Sequence, residues 1–293
     1  MNINFSNGRE LLKLCKSNSQ KIWEVMLARE AYISGKKEED IFEYMRGSLD
    51  IMKTSIARGL NEDIKSISGL SGGDAKLLRK RYEEGKTLAG ATMNKAIASA
   101  MAVLEVNASM GQIVAAPTAG SSGIIPGALI TAAESYGLSD DELIRALFTT
   151  GAVGYIITRN STVAGAEGGC QAETGAAAAM AGAALVEMLG GTPEQALNAA
   201  AMAIKNILGL VCDPIAGLVE APCIKRNAIG TANAMICADM SLAGIKSIIP
   251  FDEVVETMKR VGRSLPCELR ETGTGGLAAT PTGKALQSRI LGF

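Results

Sequence analysis

Along most of this chain apolar positions recur with a helical rather than a strand period. Between Arg9 and about Ser34 the residues Leu11, Leu12, Leu14, Ile22, Val25, Met26 and Leu27 return at roughly every third or fourth position among lysines and glutamates. That spacing predicts a surface amphipathic helix. A second helix is predicted from Glu38 to about Gly59. A third is predicted from Asp74 to Glu84, where the run KLLRKRYEE presents a solvated face. After Thr87 alanine, glycine and methionine dominate, and residues 88–109 read as a buried helix packed through small side chains.

Start signals add to the pattern. Ser139-Asp140-Asp141-Glu142 is a capping box, so a helix is expected from there to about Thr158. Thr192-Pro193-Glu194-Gln195 repeats it with proline at the first helical position, and its helix is expected to reach about Leu210. Asp252 is the expected cap of a helix from Glu253 to about Gly262, after the Pro250 break. Runs of alternating strand residues are missing. The reading is therefore all-α: a compact multi-helix catalytic domain with small-residue helix packing. Residues 1–86 are expected to form amphipathic helices packed on a helical catalytic core of residues 87–293, the whole being one continuous domain.

Composition narrows the function. A chain of 293 residues buries roughly three quarters of its unfolded surface, so its core needs no disulfide staples. Lysine and arginine number 29 against 30 acidic residues, which gives no electrostatic footprint for nucleic acid or an anionic membrane. Residues 106–133 carry no charge, but Pro117, Pro126 and a polar, glycine-rich centre interrupt them, so a buried soluble segment is expected rather than a span. With six cysteines and no charged and apolar leader, a cytoplasmic location with reduced thiols is expected. Histidine is absent, which removes the side chain most used for proton transfer near neutral pH.

Chemistry concentrates between Glu167 and Asn227, where Cys170, Cys212 and Cys223 stand beside Gly168, Gly169, Pro214 and Pro222. These neighbours predict thiols on loops or helix ends, where a bulky inorganic ligand can approach the backbone. The spacings of 42 and 11 residues match neither the close pairs of zinc sites nor the ferredoxin run. Each thiol alone also reads as a small core hydrophobe. Cys15 and Cys237 fall in helical patterns and Cys267 lies beside Pro266, so these three read as structural.

Four motifs in order, AAPTAGSSGIIPGAL, EGGCQAETGAAAAMA, VCDPIAGLVEAPCIKRNA and LRETGTGGLAATPTG, resemble the α subunit of the iron-sulfur-dependent L-serine dehydratases (L-serine ammonia-lyases) of the two-subunit bacterial type. The resemblance implies a helical domain in which Cys170, Cys212 and Cys223 hold a [4Fe-4S] cluster. Three thiolates leave one iron open as a Lewis acid toward the β-hydroxyl of L-serine, with pyruvate and ammonia as products. Fused members of that family carry a further N-terminal domain with a histidine motif and end in a cysteine. Here neither is present and Phe293 stands last, so a hetero-oligomer is expected, with a separate β subunit supplying the base.

The loop from Pro117 to Gly123 offers Thr118, Ser121 and Ser122 as ligands for the serine carboxylate; it also reads as a tight turn between buried helices. Lys225 and Arg226, beside the third cysteine, read as substrate or cluster counter-charges or as solvated cations. Glu167 reads as a polar neighbour of the site or a solvated carboxylate. Two rival functions remain. A pyridoxal-phosphate dehydratase would use Lys95 or Lys225 with a phosphate cup at residues 119–123, and a non-catalytic helical scaffold would merely bury its cysteines.

Overall fold

The computed structural model describes residues 3–292. Thirteen α-helices follow one another: α1 Gly8–Asn18, α2 Ile22–Ser34, α3 Glu38–Asn61, α4 Asp74–Glu83, α5 Gly90–Ala108, α6 Ile124–Tyr136, α7 Asp140–Asn160, α8 Gly165–Gly168, α9 Ala176–Met188, α10 Pro193–Asn206, α11 Cys223–Leu242, α12 Phe251–Ser264 and α13 Pro281–Leu291. Among the described residues there is no β-strand, only one isolated parallel bridge between Cys212 and Arg270. The all-α expectation holds; Phe293 lies outside the described residues.

The centre of the fold is α9. Every residue from Ala176 to Glu187 is buried, as expected of a helix apolar on all sides. Helices α6, α7, α10 and α11 pack around it, and α3, α4 and α6 pack on α5. Small side chains make this possible. At Gly59 in α3, a Cβ would lie 2.4 Å from the carbonyl oxygen of Ala102 in α5, so the close crossing there requires glycine.

The helix predicted from Arg9 to Ser34 is two helices. Ser19, with φ of 52°, turns the chain at the end of α1, and α2 restarts at Ile22. The restart is fixed from a distance: Ile22 N and Trp23 N donate to the carboxylate of Glu187 in α9 at 2.7 and 3.1 Å. Helix α2 buries one face, Ile22, Val25, Met26, Leu27 and Arg29, and packs against α7. Asp252 does not cap its own helix, where Pro250 holds the cap position. It accepts from Gly8 N at 2.6 Å and Arg9 N at 3.1 Å, capping α1. Glu105 likewise accepts from Asp74 N and Ala75 N at the start of α4. A cap of this kind contributes about 1 kcal/mol, and a local sequence window does not see one supplied by another helix.

The helix from Thr192 stops at Asn206, short of Leu210, and the chain turns through Gly209 at φ of 88°. The charge-free stretch divides as its composition indicates, between the end of α5, a loop and α6; no helix of the described residues is long and apolar enough to cross a membrane.

Candidate metal centre

The three cysteines lie where regular structure starts or fails. Cys170 follows Gly169, whose φ is 74°, and leads into one π-helical turn, Gln171–Gly175, before α9 begins. Such turns widen a helix locally and recur at functional sites. Gln171 anchors this one. Its Nε2 donates to the carbonyls of Gly168 (2.9 Å) and Met258 (3.1 Å), and its Oε1 accepts from Gly209 N (2.8 Å). Cys212 is extended: its N donates to Leu269 O at 2.8 Å and its O accepts from Glu271 N at 2.7 Å. Glu271 is held there in left-handed backbone, φ 65°. Cys223 is the first residue of α11.

All three thiols are buried and close enough to act on one another. Burial pushes the Cys223 thiol up to about 12, and the negative charge of Cys170 adds to the shift. Cys212 is raised further, first by burial, then by Cys170, Glu173, Glu271 and Cys223. Cys170 is also raised by burial, against the opposing effects of Thr174 and Arg226. Metal-free thiols in this state keep their protons at neutral pH, and a metal must displace those protons as it binds.

Two carboxylates join them. One ligand atom each from Glu173, Cys212 and Glu271 lie within 4.8 Å of one another. Burial raises the pKa of Glu173, and the charge of Glu271 raises it further. Glycine forms the facing wall. A Cβ on Gly165 would stand 2.7 Å from Glu173 Oε2, 2.9 Å from Glu271 Oε2 and 3.1 Å from Cys212 Sγ.

The loop before α6 closes over this group. Thr118 Oγ1 donates to Glu173 Oε1 at 2.7 Å and lies 3.2 Å from Ser121 Oγ. Ser121 and Ser122 are fully buried; the Ser122 hydroxyl donates to Ala119 O at 2.8 Å and so closes the turn. Asn227 fastens the loop to the third cysteine, with Nδ2 donating to Gly120 O and Cys223 O while Oδ1 accepts from Gly123 N. Of the two cations singled out in the sequence, Arg226 is largely buried and pairs with Asp213 at 2.7 Å. Lys225 is exposed and pairs with Asp74 of α4, and Glu167 is exposed.

The structure thus gathers Cys170, Cys212, Cys223, Thr118, Ser121 and Arg226, and leaves Lys225 and Glu167 facing outward. Sequence reasoning passed over Glu173, Asp213, Asn227 and Glu271. For Glu173 there was a signal, since it is the only charge between Gly168 and Val186. Three soft thiolate donors in a buried, glycine-walled recess suit iron-sulfur, zinc or copper(I) rather than a hard cation. The donor set, one thiol with two carboxylates within 4.8 Å and two further buried thiols beside them, could hold a metal.

Comparison with known proteins follows the same line. The family model "Serine dehydratase alpha chain" matches residues 17–278. The chain is 51% identical to the probable L-serine dehydratase, alpha chain, of Bacillus subtilis (strain 168), covering 98% of this chain and 96% of that one. It is 48% identical to the L-serine dehydratase, alpha chain, of Peptoniphilus asaccharolyticus, covering 98% of each. It is 36% identical to L-serine dehydratase 1 of Escherichia coli (strain K12) over 94% of this chain and 61% of that longer one.

Proposed function

The chain belongs to the serine dehydratase alpha chain family, and on that premise we propose that it is the cluster-bearing subunit of an L-serine ammonia-lyase. The observation that carries this reading is the group of Cys212, Glu173 and Glu271, whose ligand atoms lie within 4.8 Å of one another, with the buried Cys170 and Cys223 thiols near enough to act on Cys212. Cys170, Cys212 and Cys223 would hold a [4Fe-4S] cluster. When bound, that cluster supplies an iron without a protein thiol, a Lewis acid that makes the serine β-hydroxyl a better leaving group.

The chain's own residues bind and orient the substrate. Glu173 and Glu271 offer negative charge to its ammonium group. The loop carrying Thr118 and Ser121 would meet its carboxylate, while the Thr118 hydroxyl itself is spent on Glu173, whose carboxylate it orients. The Ser122 hydroxyl supports the same turn. Arg226 contributes positive charge from the thiol side, where Asp213 holds it. Lys225 acts at most through long-range charge from its surface pair with Asp74. Loss of the α proton and of the hydroxyl gives aminoacrylate and water; its imine tautomer then takes up water to release pyruvate and ammonia.

The base that removes the α proton would come from a separate β subunit. Two observations support this: the chain contains no histidine, and its relatives from B. subtilis and P. asaccharolyticus are named as alpha chains. Capping of α1, α2 and α4 by Asp252, Glu187 and Glu105 supports reading residues 1–86 as packed on the 87–293 core rather than separable from it. A cytoplasmic site of action suits a cluster of this type.

No observation favours the pyridoxal-phosphate reading. Lys95 is spent in a surface pair with Glu134, Lys225 in one with Asp74, and residues 119–123 are occupied in the turn beside Glu173. Absorption of the anaerobically purified chain tests the choice. A broad, air-bleached visible band with iron and sulfide present supports the cluster; a sharp aldimine band, or neither metal nor sulfide, overturns it.

A further inference from the structure

Arg226 joins the segments of two of the cysteines and acts on the third. It stands on α11, one helical turn after Cys223. Its Nη1 donates to Val211 O at 2.7 Å and its Nη2 to Asp213 Oδ1 at 2.7 Å, so one guanidinium grips the residues immediately before and after Cys212. Its positive charge also acts on the Cys170 thiol, opposing the rise that burial gives that thiol's pKa. Asp213 carries the grip further, because its second oxygen accepts from Leu277 N at 2.8 Å in the glycine-rich C-terminal turn.

A buried ion pair is seldom retained for net stability, since desolvating both charges offsets much of their attraction. Here the fork of the guanidinium has a geometric use that a single ammonium cannot reproduce. We propose that Arg226 is a positioning residue that clamps the Cys212 segment to the start of α11, where Cys223 stands, and presents a fixed positive charge to Cys170. Asp213 orients it. The inference rests on the reading of the three thiols as cluster ligands and deepens it: the site is pre-shaped by a brace the cluster itself does not supply. Three thiolates would otherwise leave concentrated negative charge in a buried place, and the Arg226 guanidinium acts there on Cys170, Cys223 and Glu173.

The test uses the full chain, reconstituted anaerobically with iron and sulfide, as wild type and as Arg226→Lys, Arg226→Gln, Asp213→Asn and the exposed control Arg260→Gln. Iron and sulfide per chain are measured, then the rate at which an iron chelator bleaches the visible band. Removal of such outer partners typically weakens metal binding by about 10- to 100-fold, and a comparable acceleration of cluster loss is expected for both Arg226 variants, with Asp213→Asn between them and wild type. Lysine should not rescue, because it restores charge without the fork.

Alkylation of the cluster-free chain separates a lost brace from a lost fold. Cys170, Cys212 and Cys223 should react faster in the Arg226 variants while Cys15 and Cys237, buried in α1 and α11, stay protected. Wild-type cluster content and chelation rate in Arg226→Lys and Arg226→Gln would overturn the proposal, as would equal exposure of all the buried cysteines. A wild-type chain that takes up neither iron nor sulfide would instead overturn the cluster reading beneath it.

Discussion

Thr118 and Glu173 meet at 2.7 Å, hydroxyl to carboxylate, across the gap between the loop before α6 and the π-helical turn that follows Cys170. This contact ties the hydroxyl-bearing loop to the thiol-bearing turn, and with it the two halves of the recess. Thr118→Val should leave the buried carboxylate without this donor, a loss of about 1–3 kcal/mol. With the second subunit present, serine turnover should fall with a raised KM, while iron content stays near that of wild type. Steady-state kinetics beside an iron assay checks this, and an unchanged KM would remove the loop from substrate binding.

Gly165 marks how tightly the recess is drawn. A methyl group there would press on Glu173, Glu271 and Cys212 at once, at 2.7 to 3.1 Å. Gly165→Ala should therefore fold with a wild-type helical circular dichroism spectrum yet retain well under half the wild-type iron and sulfide after reconstitution.

The six cysteines should divide into two sets. Replacing Cys170, Cys212 or Cys223 singly by serine should abolish stable cluster uptake, because a hydroxyl is a poor substitute for a thiolate ligand toward iron. Cys267→Ser, at an exposed position, should keep the full complement. Iron and sulfide analysis of the four variants distinguishes the sets.

Glu187 makes the stability of the cluster-free chain depend on pH. Burial raises its pKa above the ordinary 4.5, and its bonds from Thr149, Ile22 and Trp23 only partly oppose that. The folded state then holds the proton more strongly than the unfolded one. Its contribution to stability is full below about pH 4.5 and is lost as pH rises through the raised folded value. Thermal melts of wild type and Glu187→Gln from pH 4.5 to 8 should show wild type losing ground to the variant as pH increases. A pH-independent difference would contradict the assignment.

How much of this was legible in the chain depended on whether the cause was local. Capping boxes at Ser139 and Thr192 are local, and the helices they open begin where expected. Glycine and proline beside the cysteines placed the thiols at helix starts and in extended chain. The break between α1 and α2 carried a local signal that was passed over, the Ser17-Asn18-Ser19 run and Glu24, which accepts from Lys21 N at 2.7 Å; the further cap from Glu187 lies far along the sequence. Asp252 misled for the same reason, capping α1 instead of its own helix. In the site, Cys170, Cys212 and Cys223 could be singled out. That Lys225 turns to Asp74 while the adjacent Arg226 turns inward to Asp213 depends on the rotation of α11 against its neighbours, which adjacency in sequence does not encode. Glu271 reaches the recess only through the bridge between Cys212 and the C-terminal segment, a pairing across more than fifty residues.

The central claim is that this chain carries the cluster and the substrate recess but not the base. The most direct test is anaerobic reconstitution with iron and sulfide, followed by measurement of pyruvate formed from L-serine with and without a candidate β subunit. The chain should retain iron and sulfide yet be nearly inactive alone, and gain strong turnover when the second subunit is added. Strong turnover by the reconstituted chain alone, or a chain that retains no iron and sulfide, would contradict it.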